Sequence, residues 1–416
     1  MSPNTPSRAA TAARPALALA ALITALATAG LADARAPRVA AVGPVITTAG
    51  FKVDADKEAL GRAIFHDRSL SQPAGQSCAS CHALSNAFSD PRQGPTSQGA
   101  TAGLFGPRNG PSLMYAAFTP PLQAAGEGAF SYLGGLFRDG RVDTLEAQAQ
   151  GPMLNPIEMG NPDAAAVVAK LAAAPYAGRF QAIYGADIFS RTDDAFNAMA
   201  EAIATFERGS TFRPFSSKYD AWQRGQTTLT AAEQRGLALF NDPAKANCAS
   251  CHSGEGNRKS GVNPLFTDFG YDNVGVPRNP ANRFYKQAPG VNPDGRQYVD
   301  IGLRAVVWRD AARGQFKAPT LRNVAVSGPY MHNGYFRTLR GVVEFYNSRD
   351  ARPVCPDAFT PEAQALAAGC WPVAEIPETV NHDGMGDLKL TAQEVDDVVT
   401  FLGTLTDGWQ PPVAKR

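Results

Sequence analysis

Cys78-Ala79-Ser80-Cys81-His82 decides the reading of this chain, because the same five residues recur as Cys248-Ala249-Ser250-Cys251-His252. A similar helical stretch precedes each pentad: Leu60-Gly61-Arg62-Ala63-Ile64-Phe65 first, then Arg235-Gly236-Leu237-Ala238-Leu239-Phe240. The second stretch opens on Thr230-Ala231-Ala232-Glu233, a capping-box pattern in which hydroxyl and carboxylate satisfy each other's backbone amides at a helix start. A repeat offset by about 170 residues is too long for a solenoid unit and predicts two related domains.

Two cysteines three positions apart, followed at once by a histidine, suit the covalent attachment of haem c. The thiols reach the two vinyl groups and the adjacent imidazole meets the iron from one face. Competing uses of the spacing are a redox dithiol or half of a zinc site. A dithiol does not need the histidine, and a four-cysteine zinc site would not need it twice. The expectation is two covalent haem c groups, on Cys78 and Cys81 and on Cys248 and Cys251, with His82 and His252 as proximal ligands. Cys355 and Cys370 remain, flanked by Pro353, Pro356 and Trp371-Pro372. In an oxidising compartment their natural use is a disulfide, worth about 3 kcal/mol for a loop of ~15 residues; two buried free thiols are the alternative.

An oxidising compartment is what the first residues predict. Arg8 and Arg14 precede the uncharged, Ala- and Leu-rich run from Ala16 to Ala29, which is too short to span a bilayer comfortably. Small-x-small sites end at Ala29, Ala34 and Ala36, so residues 1–36 read as a signal peptide cleaved between 29 and 36, with an uncleaved anchor as the alternative. No later stretch is apolar enough for a membrane helix, so the mature protein is expected in the periplasm. With 44% hydrophobic and 19% charged residues the chain is not a disordered one, and a net charge of +1 gives no sign of nucleic-acid binding. The 39 glycines and 32 prolines suggest helices joined by long ordered loops. Helices are expected at Ala164 to Ala172, Asp193 to Phe206 and Ala392 to Leu405, the last opened by the capping box Thr391-Ala392-Gln393-Glu394. Strand patterns are sparse. The fold expected is mainly α, two cytochrome c-like haem domains at 45–214 and 215–416, with the boundary near Arg213 to Asp220.

What fills the sixth position decides what each iron does. No other histidine lies between His82 and His252. The first haem is left with His66, with Met114, Met153 or Met159, or with a lysine, and His66 reads more simply as a packed or solvated residue. An open iron implies chemistry with a small oxidant, whereas two fixed ligands imply electron transfer alone. Near the second haem, Leu339, Val342, Val343 and Tyr346 fall on one helix face, a phase in which a tyrosine is ordinarily core.

These residues carry a resemblance. Together with Gly106-Pro107-Arg108-Asn109, Asp139-Gly140-Arg141, Gln148-Ala149-Gln150-Gly151-Pro152, Glu158-Met159, Pro319-Thr320-Leu321-Arg322-Asn323 and Pro329-Tyr330-Met331-His332-Asn333-Gly334, the two haem motifs resemble the bacterial di-haem cytochrome c peroxidase family, including its MauG-type branch. The match runs from about Leu60 to the C-terminal helix. It implies that the first haem is the peroxidatic one, with Gln148, Pro152 and Glu158 around its open face. A carboxylate in such a pocket would have its pKa raised by desolvation and could move a proton between the two peroxide oxygens. Read alone, Glu158 would be a surface residue.

Many members carry a distal histidine on a loop after the first haem, near Gln98 here, where this chain has none. The resemblance then implies a site that needs no reductive opening. It also implies an axial ligand fourteen residues after His332, which is Tyr346, as in the MauG-type branch; tyrosinate favours higher oxidation states than methionine does. It makes His332 an interface residue or one that supports a ligand, and places calcium on Asn109, Ser327 and Pro329. One departure stands out. The family's Phe-Trp-Asp-Gly-Arg, whose indole relays electrons between the haems, is Phe137-Arg138-Asp139-Gly140-Arg141 here. Direct transfer, or a relay such as Tyr132, would have to serve instead.

The expected activity is reduction of hydrogen peroxide to water with electrons from a small donor protein, a cytochrome c or a cupredoxin. The alternatives are a MauG-type oxidase acting on residues of a protein substrate, and a di-haem electron-transfer cytochrome without enzymatic activity.

Overall fold

The stretch around Leu60 forms helix α1 (Ala55–His66), whose start is capped by the Asp54 carboxylate accepting from the amides of Asp56 and Lys57. The computed structural model describes residues 51, 53–125, 132–254 and 263–411; the predicted signal peptide, 1–36, lies outside them. The short α2 (Cys78–Cys81) is the first haem motif itself. There follow α3 (Leu145–Leu154), α4 (Ala164–Ala172), α5 (Ala177–Tyr184) and α6 (Thr192–Glu207). The second half carries α7 (Lys218–Gln223), α8 (Ala231–Asn241), α9 (Arg304–Val307), α10 (Leu339–Ser348), α11 (Glu362–Ala368) and α12 (Ala392–Gly403).

Strands are few among the described residues. β1 (Gln123–Ala124) pairs antiparallel with β2 (Tyr132–Leu133), and β3 (Tyr271–Asp272) with β4 (Phe316–Lys317), where Tyr271 faces Lys317. The fold is mainly α, as expected. α4 has its expected bounds, α6 runs one residue further at each end, and α12 stops at Gly403, before Leu405. The capping boxes at Thr230 with Glu233 and at Thr391 with Glu394 both form.

The repeat is a repeat of packing as well as of letters. α1 crosses α6 at Gly61, where a side-chain carbon would sit 1.9 Å from the carbonyl oxygen of Ala202. α8 crosses α12 at Gly236, where such a carbon would sit 2.0 Å from the carbonyl oxygen of Asp397. Only glycine lets two helix backbones approach this closely. Four positions on, Phe65 is buried with its ring 5.4 Å from that of Phe206, and Phe240 is buried with its ring 5.2 Å from that of Phe401. Each pair anchors an aromatic cluster, one with Phe88 and Phe212, the other with Phe266 and Tyr219.

A third cluster, built on Phe336, Phe345 and Trp371, encloses the disulfide between Cys355 and Cys370, whose Cα atoms lie 5.1 Å apart. Buried ion pairs tie distant segments together. Arg322 forks onto Asp220 at 2.8 and 2.9 Å, and Arg108 bridges Asp139 at 2.5 Å and Asp300 at 2.6 and 2.7 Å.

Candidate haem centres

The proximal histidines are held in the same way. Nδ1 of His82 lies 2.9 Å from the carbonyl oxygen of Phe88, and Nδ1 of His252 lies 3.1 Å from the carbonyl oxygens of Phe266 and Pro319. A carbonyl can only accept, so each ring carries its proton on Nδ1 and keeps the Nε2 lone pair for a metal. Phe88 and Phe266 both have left-handed backbones, φ 54° and 55°, a conformation rarely adopted by aromatic residues and here shared by the two carbonyls that orient the rings. Burial holds both imidazoles below their ordinary range and therefore neutral, the ligating form.

Cys78, Cys81, Cys248 and Cys251 form no disulfide. Burial pushes Cys78 and Cys248 up to about 12 and Cys81 to about 11, so they stay protonated rather than reactive. Four cysteines outside any disulfide and two imidazoles with an uncommitted nitrogen fit two haem c groups.

A cavity opens over His82, lined also by Cys78, Cys81, Gln148, Pro152 and Glu158. α3 brings Gln148 and Pro152 to it, after a start capped by the Thr144 hydroxyl. Glu158 follows the helix; its Oε1 accepts from the Asn155 side chain at 2.9 Å. Burial raises the Glu158 carboxyl, opposed by Arg141 and the Asn155 bond. Arg141 in turn lies over the Phe137 ring at 3.5 Å. His66 is exposed, bonded to the Arg62 carbonyl, and does not reach the cavity. Met114, Met153 and Met159 do line it. Gln98, near where the family resemblance implies a distal histidine, lines it as well.

One cavity residue escapes a reading of the sequence. Glu207, at the end of α6, is 3% exposed, and its Oε2 has no hydrogen-bond partner among the described residues. Burial, with a smaller contribution from Glu146, pushes it up to about 8 against the opposing Arg208. In the sequence it looks like any solvated helix glutamate.

Tyr346 lies on α10, on the face that also carries Val342 and Val343. Burial and the nearby Cys251 and Cys248 raise its hydroxyl, which places the phenol beside the second haem motif. His332 is buried; its ring stacks on Phe316 at 3.8 Å and its Nε2 lies 3.5 Å from Glu375.

The family model described as di-haem cytochrome c peroxidase matches residues 55–228. The methylamine utilization protein MauG of Paracoccus denitrificans is 41% identical over 86% of this chain and 90% of its own. This chain belongs to the di-haem cytochrome c peroxidase family. It is therefore a haem oxidoreductase that carries two haem c groups. Cytochrome-c peroxidase IdrP1 of Denitromonas iodatirespirans is 34% identical over 94% of this chain and 92% of its own. The solved diheme peroxidase BthA of Burkholderia thailandensis superposes with a TM-score of 0.70 at 34% identity, covering 86% of this chain and 88% of BthA. No helix among the described residues is long and apolar enough to cross a membrane.

The calcium implied by the family resemblance does not fit these residues. Arg138 donates from Nε to the Asn109 carbonyl oxygen at 2.8 Å and from Nη2 to Asn109 Oδ1 at 2.6 Å. A calcium ion about 2.4 Å from that Oδ1 would sit beside the guanidinium. At ~4 Å and an effective dielectric of ~20, a divalent and a univalent cation repel by about 8 kcal/mol. Ser327 and Pro329 line the same cavity, but the side chain that would complete the set is already taken.

Proposed function

We propose that this chain is a periplasmic peroxidase that reduces hydrogen peroxide at the haem on His82, with electrons entering from a small redox protein through the haem on His252. The observation that carries this reading is Glu158, a carboxyl raised by burial on the cavity over His82, with no histidine opposite. Each half of the chain is read as one haem domain, meeting near 214–215.

Haem supplies the iron that binds peroxide and the electrons that cleave its O–O bond. The surrounding residues manage protons. Glu158 takes the proton from the oxygen nearer the iron and returns it to the outer oxygen, which leaves as water. The Asn155 bond holds its carboxyl in place, and Arg141 keeps its pKa from rising further. Gln148 offers an amide N–H to the peroxide, and Pro152 keeps that wall apolar. Two electrons and two protons complete the conversion of one peroxide to two waters. Tyr346, with His252, would hold the second haem iron.

A second reading is favoured by Tyr346 and by the 41% identity to MauG: the same oxidising equivalents drawn from residues of a partner protein. Steady-state peroxide turnover with a reduced small cytochrome, compared with the lifetime of the oxidised protein without donor, separates the two. Rapid turnover with donor supports the peroxidase. A long-lived oxidised state with poor turnover overturns it in favour of the partner oxidase.

A further inference from the structure

Arg138 stands where the resemblance implies a tryptophan, and its side chain occupies Asn109 Oδ1, the side-chain oxygen that the resemblance assigns to a metal. Both bonds go to one residue: Nε to the Asn109 carbonyl oxygen and Nη2 to its Oδ1. The backbone is equally fixed. The amide of Lys317, on β4, donates to the Arg138 carbonyl at 2.9 Å, and the preceding Phe137 turns the chain with φ 61°. Asn109 is buried and held from its other side, its amide donating to the His332 carbonyl at 2.7 Å.

Other basic groups already lie close by. Lys317 Nζ donates to the Gly135 carbonyl, and burial, with a smaller contribution from Arg108, depresses the Arg138 guanidinium. Arg108 is neutralised by Asp139 and Asp300, but no ion pair between Arg138 and a carboxylate is present among the described residues. A guanidinium presents its donors in a fixed planar fork, so it can satisfy the carbonyl and the side-chain oxygen of one asparagine together.

We infer that the Arg138 guanidinium is itself the cation of this site, in place of a bound divalent ion, so that the protein holds its haem cavity without calcium. The charge is covalent and present at every calcium concentration. The same residue gives up the aromatic relay to supply it. This inference does not depend on whether peroxide or a partner protein is the substrate, so its failure and that of the peroxidase reading are distinguishable.

Elemental analysis of the di-haem protein after dialysis against calcium-free buffer tests it, with calcium chloride and EGTA titrations followed by the haem visible spectrum. Wild type is expected to retain no calcium and to show no spectral change with either reagent. One calcium per chain, with a spectral change on chelation, would overturn the inference. Arg138→Gln, in preparations carrying both haems, is expected to go from none to one calcium per chain, because Asn109 Oδ1 is released. Arg138→Lys keeps the charge and is expected to stay calcium-free. A haem-loaded Arg138→Gln protein that remains indifferent to calcium would remove Arg138 as the displacing group. Should that variant fail to load haem, the wild-type measurement decides alone.

Discussion

Nδ1 of His82 and the carbonyl oxygen of Phe88 are 2.9 Å apart, and the left-handed backbone at Phe88 is what turns that carbonyl toward the ring. The bond settles which nitrogen is left for iron. His252 and Phe266 repeat the arrangement, so the two haem centres share one orienting device although their loops differ in length. In the proposed reading, what separates them is what each iron would face: a cavity with a carboxyl at the first, a phenol at the second.

Gly61 and Gly236 are expected to be intolerant of any side chain. Gly61→Ala puts a carbon against the Ala202 carbonyl, and Gly236→Ala against that of Asp397, so the helices must separate. Each change should cost about 1–3 kcal/mol or more, read by guanidinium denaturation of the haem-loaded protein. A loss well below that range would show that the crossings are looser than described.

Glu158→Gln should slow the peroxide step by about 10²–10⁴-fold while leaving haem content unchanged. The carboxyl acts ionised, and burial raises it above its ordinary 4.5. Wild-type activity should therefore fall as pH falls through that raised value, and the glutamine variant should lose this acidic limb. An unchanged pH profile would assign the proton transfer to another group.

Glu207 predicts a stability effect of definite sign. Its folded pKa of about 8 lies above the ordinary 4.5, so between these values the folded protein holds a proton that the unfolded chain has released. Stability should fall as pH rises through that window and level off above it. Glu207→Gln, neutral in both states, should flatten the dependence. Denaturation midpoints at pH 5, 7 and 9 check this, and an equal slope in both proteins would contradict it.

Tyr346→Phe should alter the low-spin spectrum of one haem and leave the other as it was. Visible and near-infrared absorption of the ferric variant checks the assignment; unchanged spectra would remove Tyr346 as a ligand.

Local chemistry was legible in the sequence where it is carried by neighbours in the chain. The pentads and the capping boxes at Thr230 and Thr391 could be read, because each is a short pattern with one physical use. Phe88 and Phe266 could not be matched. They follow their histidines at different distances, and a left-handed φ in a phenylalanine leaves no compositional trace. Arg138 was visible as a departure, but its partner Asn109 is 29 residues away, so nothing local indicated that the guanidinium would cover the expected metal ligand. Glu207 was hidden for a related reason, since its burial depends on the tertiary packing around α6 and leaves no mark on the helix pattern.

Electron paramagnetic resonance of the ferric, haem-loaded protein tests the central claim most directly. An iron on His82 left open for peroxide, and an iron held by His252 and Tyr346, should give one high-spin and one low-spin signal. Two low-spin signals would mean that a side chain, such as one of the methionines lining the first cavity, closes that iron, and would contradict the account.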